Sequence, residues 1–276
     1  LYQIRRKGYH PLRNTEENIM ENLQTYLEFA LEAAYQAGRI TLGYFQTGIT
    51  PDRKADHSPV TIADKQSEQK LRELISRYWP EHGIIGEEFG QQAGQSHLTW
   101  TIDPIDGTKS FVQGVPLYAV LIALTDGERP LLGVAHFPAL NETLYATQGG
   151  GCYWNSRRAH VSSVDKLENA VLLASEIGSF RQDTAKSGAW DRLIETTYFQ
   201  RTWGDAYGYA LVATGRAEVM LDPWMAVWDC GPLQVIMEEA GGTFTDWGGI
   251  PTIYAGESIA TNGVLFDEVM RLVRGE

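Results

Sequence analysis

Asp103 and Asp106 stand three residues apart in the segment WTIDPIDGTKSF (residues 100–111) and are followed at once by Gly107 and Thr108. Carboxylates that close repel each other unless something positive sits between them. Other acidic residues share this setting, at the end of an element rather than on a solvated face. Glu87 and Glu88 close a short apolar run, Asp229 opens a late helix, and Asp64 opens an early one. Hard cations such as Mg²⁺ take oxygen ligands from carboxylates, carbonyls, water and substrate phosphate. Carboxylates drawn from several strand ends can hold two or three such ions about 4 Å apart. Pro104 sets a rigid turn, so that Asp103 and Asp106 face one point with the Ile105 carbonyl offered between them. Gly107 lets the backbone approach a ligand closely. A helix starting over 107–110 would present free N–H groups to a phosphate, and the Thr108 hydroxyl can orient an attacking water. Taken alone, D-P-x-D-G-T reads equally as a polar turn with an Asx cap, and Glu87 and Glu88 as a solvated loop. The combination favours metal and phosphate, because each acidic group directly follows a short apolar strand.

The elements that must position these residues follow from apolar periodicity. Leu23, Leu27, Ala30, Leu31, Ala34, Ala37 and Ile40 mark an amphipathic helix over 20–45. The polar stretch TGITPDRKADHSPV reads as a loop or loose hairpin, and a second helix over 62–78 stops at Pro80. GIIG and LTWTID are short strands that end in the acidic groups. A meander follows, through LYAVLIALT, a polar turn over 126–129, PLLGVAHFP and ETLYATQGGGCYWN. After about residue 155 strands and helices alternate: strands at NAVLLAS, AEVMLD, GGTFTD and SIATN, and helices over 185–197, 206–214, 228–240 and 263–273. This predicts a layered α+β protein in two closely packed halves, 20–155 carrying metal and phosphate groups and 156–276 reading the substrate. Residues 1–19, mildly basic and patternless, read as a disordered leader or an expression remnant.

The chain has 276 residues and a formal net charge of −12, which disfavours nucleic acid or an anionic membrane as partner. An anionic substrate is compatible with that charge only if divalent cations intervene. No apolar run approaches the roughly 20 residues of a membrane span. Cys152 and Cys230 are the only cysteines, have no metal-type spacing and read as packing residues, which fits a reducing, cytoplasmic setting.

GEE at 86–88, DPIDGTKSF at 103–111, WDCGPLQVIMEEAGG at 228–242 and KADHSPVTIAD at 54–64 resemble the inositol monophosphatase-like family, in the expected order from about residue 22 to the end. The resemblance implies an αβαβα sandwich of the inositol monophosphatase/fructose-1,6-bisphosphatase type and a metal-dependent, lithium-sensitive phosphatase, commonly dimeric. It implies a first Mg²⁺ on Glu87, Asp103 and the Ile105 carbonyl, a second on Asp103, Asp106 and Asp229, and a third, looser ion near Glu87. Asp64 and Thr108 would position the water, and the backbone of Gly107 and Thr108 would cradle phosphate. Lys109 and Ser110 depart from the family pattern, and Lys109 reads as solvent-facing.

Specificity should come from TWGDAYGYALVATGRAEVMLDPWMAVWD at 202–229, which resembles the branch of the family that acts on histidinol phosphate. That leaving group carries an amine and an imidazole, so Asp205 and Asp222 are expected at its cationic end, with Trp203 as a wall. Asp205 also suits the N-cap of the next helix, and Trp224 and Trp228 read as packing. The alternatives are an inositol-1-phosphate or broad sugar-phosphate phosphatase, a nucleotide 3′-phosphatase, and a non-catalytic scaffold; the last is disfavoured because no metal carboxylate is lost.

Overall fold

Leu23, Leu27, Ala30, Ala34 and Ala37 are all buried, as a single apolar stripe requires. In the computed structural model, which describes residues 16–276 apart from Asp56, their helix is α1 (Glu16–Tyr44) and begins four residues before the expected start. The last four residues of the expected leader therefore belong to α1; the rest lies outside the described residues. The polar stretch is a hairpin of β1 (Asp52–Arg53) and β2 (Pro59–Val60). Thr61 then starts α2 (Ile62–Tyr78) through a capping box: its hydroxyl accepts from the Ala63 and Asp64 amides, and its own amide donates to Asp64.

Next come β3 (Gly83–Gly86), β4 (Gly90–Gln92), β5 (Thr99–Asp106), the short α3 (Thr108–Val112), β6 (Ala119–Thr125), β7 (Pro130–Phe137), β8 (Glu142–Thr147), β9 (Gly151–Trp154) and β10 (Arg157–Arg158). The remainder is β11 (Val171–Ala174), α4 (Ile177–Phe180), α5 (Thr184–Thr196), β12 (Phe199–Arg201), α6 (Ala206–Ala213), β13 (Val219–Asp222), α7 (Val227–Glu239), β14 (Thr243–Thr245), β15 (Ser258–Thr261) and α8 (Phe266–Arg274). Strands β4 and β12 and helix α4 have no counterpart in the sequence reading; each is too short for a periodic signal.

The first sheet has the order β10-β9-β8-β7-β6-β5-β3-β4, antiparallel except between β3 and β5. It therefore extends a few residues past the expected division at 155. The second has the order β12-β11-β13-β15-β14, with β12, β11 and β13 parallel. Along β6 the side chains alternate between two cores. Val120, Ile122 and Leu124 face α1 and α2, whereas Ala119 and Leu121 face a core built on α6 and α7. The far face of the second sheet packs on α5 and α8. The five layers are thus α1 and α2, the first sheet, α6 and α7, the second sheet, and α5 and α8: the αβαβα sandwich.

Helix α7 is buried on nearly every side from Cys230 to Met237, as a helix between two sheets must be. It lies close because the strands beneath it present a cross-strand row of small residues, Thr101, Ala123, Gly133 and Ala146. A Cβ on Gly133 would meet the Pro232 carbonyl oxygen at 2.4 Å. Cys152 and Cys230 are buried and unpaired, as expected. No helix among the described residues is long and apolar enough to cross a membrane.

His82 sits in an aromatic cage of Tyr26, Trp79 and Trp100. The Trp100 indole N–H donates to its Nδ1 at 3.1 Å, so that nitrogen is unprotonated. Burial, with a smaller effect of His97, lowers the His82 pKa to about 4. The folded value lies below the unfolded one, so the stability tied to neutral His82 is complete above about pH 6.5 and is lost as pH falls towards 4. The expected loss is on the order of 2 kcal/mol. His82→Asn, which keeps an acceptor for Trp100, should show a flatter fall of Tm from pH 7 to 4 than the wild type. Parallel curves for the two proteins would exclude this role.

Candidate active site

On a regular strand, residues three apart point to opposite faces. The pairing of β5 with β6 shifts register between Asp103 and Asp106, and this bulge turns both carboxylates to the α7 side. The expected turn after a strand end is therefore a bulge inside a strand that continues through Asp106. Asp229, in the first turn of α7, meets them from the opposite layer. Asp103, Asp106 and Asp229 each bring a carboxylate oxygen within 4.8 Å of the others. The Asp103 carboxylate also accepts from the Ile105 amide at 2.9 Å, which fixes the bulge.

Gly107 follows with φ 82° and ψ 39°, a left-handed conformation at the N-terminus of α3. A side chain there would also meet Asp205 Oδ2 at 2.9 Å and the Leu117 carbonyl at 3.0 Å, so both backbone and space demand glycine. The Thr108 hydroxyl lies 2.9 Å from the Ile105 carbonyl and 3.4 Å from Asp64 Oδ1. Asp64 Oδ2 is occupied by the Thr61 amide and hydroxyl, at 2.8 and 2.6 Å. The capping box that starts α2 thereby aims the other Asp64 oxygen at Thr108.

Glu87 and Glu88 form the turn after β3. Glu68 of α2, fully buried, accepts from the amides of Glu88 and Phe89 at 2.6 and 3.1 Å and pairs with Arg72. Lys54, from the β1–β2 hairpin, donates to Glu87 at 2.8 Å and to Glu88 at 2.6 Å. Burial opposes the charge on Lys54, but Glu87 and Glu88 hold its pKa above the ordinary value.

The second half closes the site. Asp205 occupies the N-cap position of α6, yet its side chain makes no capping bond. Its backbone, at φ 53° and ψ −155°, lies in a region that favours glycine and costs of order 1–3 kcal/mol in other residues. Three contacts hold it there. The Asp205 amide donates to Ser175 Oγ at 2.8 Å, the Gly208 amide donates to the Asp205 carbonyl, and the Ala206 amide donates to Asp106 Oδ2 at 2.6 Å. Asp222 accepts from the Ser175 amide and hydroxyl and from the Tyr209 hydroxyl. A cavity of about 80 Å³ is lined by Asp106, Asp229, Asp205, Asp222, Ser175 and Trp224, among others.

Burial pushes Asp103 and Asp106 well above the carboxylate range; the next contribution comes from Glu87 for Asp103 and from Asp205 for Asp106, with Asp229 acting on both. Asp229 rises to about 7, mainly through burial. Among the described residues no lysine or arginine pairs with these three aspartates. Three convergent carboxylates, largely removed from water and lacking a counter-charge, fit a hard divalent cation, whereas a soft metal would call for sulfur or imidazole.

Matched against known families, residues 22–275 fit the inositol monophosphatase family. The chain belongs to that family. A histidinol-phosphatase of Chlorobaculum parvum is 40% identical over 236 residues, covering 85% of this chain and 91% of the relative. A histidinol-phosphatase of Mycobacterium tuberculosis is 37% identical, covering 88% and 96%. The inositol monophosphatase of Anabaena shares the fold with a TM-score of 0.82 at 32% identity, over 92% of this chain and 97% of that structure. As an inositol monophosphatase family member, the chain is a metal-dependent phosphatase.

In this family member the structure brings together Asp64 with Thr108, Asp103 with Asp106 and Asp229, and Gly107 with Asp205. Glu87 adjoins the cluster, facing Lys54. Lys109 is solvent-facing, as expected, and pairs with Glu176 at 2.6 Å. Trp203 is a correction: it packs with Phe199 and Arg201 on β12 and lies outside the cavity, which Trp224 lines instead. Asp222 does line the cavity, but Ser175 and Tyr209 occupy its oxygens. Glu68, Ser175 and Tyr209 were missed. A buried glutamate on a helix, or a serine after a strand, carries no local signal of the loop that it anchors.

Proposed function

We propose that the chain hydrolyses L-histidinol phosphate to L-histidinol and phosphate, using two or three Mg²⁺ ions. Asp205 carries this reading. Its carboxylate is pushed up to about 6 by burial, against the influence of Lys109, and no described group donates a hydrogen bond to it. It shares a cavity with Asp106 and Asp229. An unpaired, desolvated carboxylate is costly beside a neutral polyol and favourable beside an ammonium group. The two relatives named histidinol-phosphatase support the same substrate.

Asp103, Asp106, Asp229, Glu87 and the Ile105 carbonyl would hold the ions, which when bound supply Lewis-acid charge and a water acidic enough to attack. Thr108 Oγ1 would orient the attacking water, and Asp64, whose Oδ1 lies 3.4 Å from that hydroxyl, would serve as the nearby base for its proton. The water oxygen would bond to phosphorus as the ester P–O bond opposite breaks, and the departing alkoxide would take its proton from solvent water to leave as the alcohol. Amides of Gly107 and Thr108 hold the phosphate oxygens. The two halves share this work: 20–155 supplies most of the ion and phosphate groups, 156–276 the leaving-group pocket together with Asp229.

The test is phosphate release with Mg²⁺ from L-histidinol phosphate and from myo-inositol-1-phosphate. A strong preference for the first is expected. Asp205→Asn should lower kcat/KM for histidinol phosphate about 10- to 50-fold while sparing the inositol ester. A wild-type preference for the inositol ester would remove Asp205 as the reader of the leaving group.

A further inference from the structure

Trp224 is 62% exposed, yet the loop that carries it is held on every side. The Asp222 carbonyl accepts from the Trp247 indole N–H at 3.2 Å, the Pro223 carbonyl accepts from Lys186 Nζ at 3.0 Å, and the Met225 amide donates to the Gly256 carbonyl at 2.8 Å. Lys186 is itself fixed by Glu257, which also accepts from the Trp247 amide. Its ammonium lies 5.2 Å from the centre of the Trp224 ring, so one face of the indole is occupied by the protein. A large apolar side chain left open at a cavity mouth, on a loop clamped at the residues either side of it, is a surface prepared for a ligand at little cost in ordering.

We propose that Trp224 is a specificity-determining wall on which a flat heteroaromatic ring of the leaving group stacks. The inference rests on the reading above, that the ester is histidinol phosphate, and it adds the part of the leaving group that Asp205 does not read. One cavity is lined by Asp106 and Asp229 of the carboxylate cluster together with Asp205 and Trp224, and Trp224 is the most exposed of the four. With the substrate phosphate at the carboxylate cluster, Asp205 would be left for the amine and the indole for the ring. Offset stacking on an aromatic face selects for a planar ring and is indifferent to the phosphate and the amine.

The experiment compares L-histidinol phosphate with L-alaninol phosphate, which keeps the amine and the phosphate and lacks the ring. Trp224→Leu should lower kcat/KM for histidinol phosphate about tenfold, mostly through KM, and leave alaninol phosphate within about twofold; Trp224→Phe should retain most of the activity on both. Calorimetric binding of L-histidinol, with Mg²⁺ present, should weaken in parallel in Trp224→Leu. Equal losses on both esters, or none on either, would overturn the wall. Failure of the substrate reading is separate: it shows in the wild type, as a preference for myo-inositol-1-phosphate. The ratio of losses in Trp224→Leu judges the wall in either case.

Discussion

Asp106→Asn should lower kcat at least about a thousandfold at saturating Mg²⁺ while leaving the fold intact. Asparagine keeps an oxygen to accept from the Ala206 amide, so the contact between β5 and α6 survives. What is lost is one charge among Asp103, Asp106 and Asp229, all raised by burial and by the negative groups around them. Removing a buried, repelled charge should stabilise the metal-free protein, with Tm rising by about 2–6 °C. The stabilisation gained on adding Mg²⁺ should shrink at the same time. Both thermal shifts are read without turnover. Turnover at the wild-type rate would overturn the assignment of Asp106, and an unchanged response of Tm to Mg²⁺ would remove it from the ion site.

Gly133→Ala should destabilise the protein by about 3 kcal/mol, or prevent folding. The added methyl group would lie 2.4 Å from the Pro232 carbonyl oxygen and 2.7 Å from its Cα, and neither can move without displacing α7. Because α7 carries Asp229 in its first turn, the folded fraction should also show a lower kcat. Val134→Ala, next along β7 but facing the α1 and α2 core, should lose stability by leaving a cavity and leave kcat largely unchanged. Equal effects of the two substitutions on kcat would break the link between this contact and the site.

The acidic cluster was legible in the sequence because Asp103 and Asp106 follow an apolar run in β5, Asp229 opens a helix, and the family motifs span the same residues. Element identities were legible where a period near 3.6 ran for several turns, as in α1 and α2, and where an unbroken apolar run was bounded by turn residues, as in β6. What the sequence withheld depends on register. The bulge in β5 cannot be read from DPID alone, since Pro104 suits a turn as well as an irregular strand. The small-residue row under α7 exists only once Thr101, Ala123, Gly133 and Ala146 are side by side. Trp203 and Trp224 are equivalent by composition, and only the placement of β12 at a sheet edge and of the 222–226 loop at the cavity separates them. Asp205 carried two compatible readings; it holds the cap position with its backbone while its side chain faces the cavity.

The hydrogen bond from the Ala206 amide to Asp106 joins the segment proposed to read the leaving group to a member of the acidic cluster. A change of diet in this lineage therefore cannot be a purely local event. Any replacement at 204–206 that moves the α6 terminus also alters how Asp106 is solvated and aimed, so variants with new preferences should first arise as slower enzymes. Recovery would then come from compensating changes near Ser175, whose hydroxyl holds the Asp205 amide, more readily than from the aspartates themselves. On the proposed roles, selectivity and speed would be inherited together.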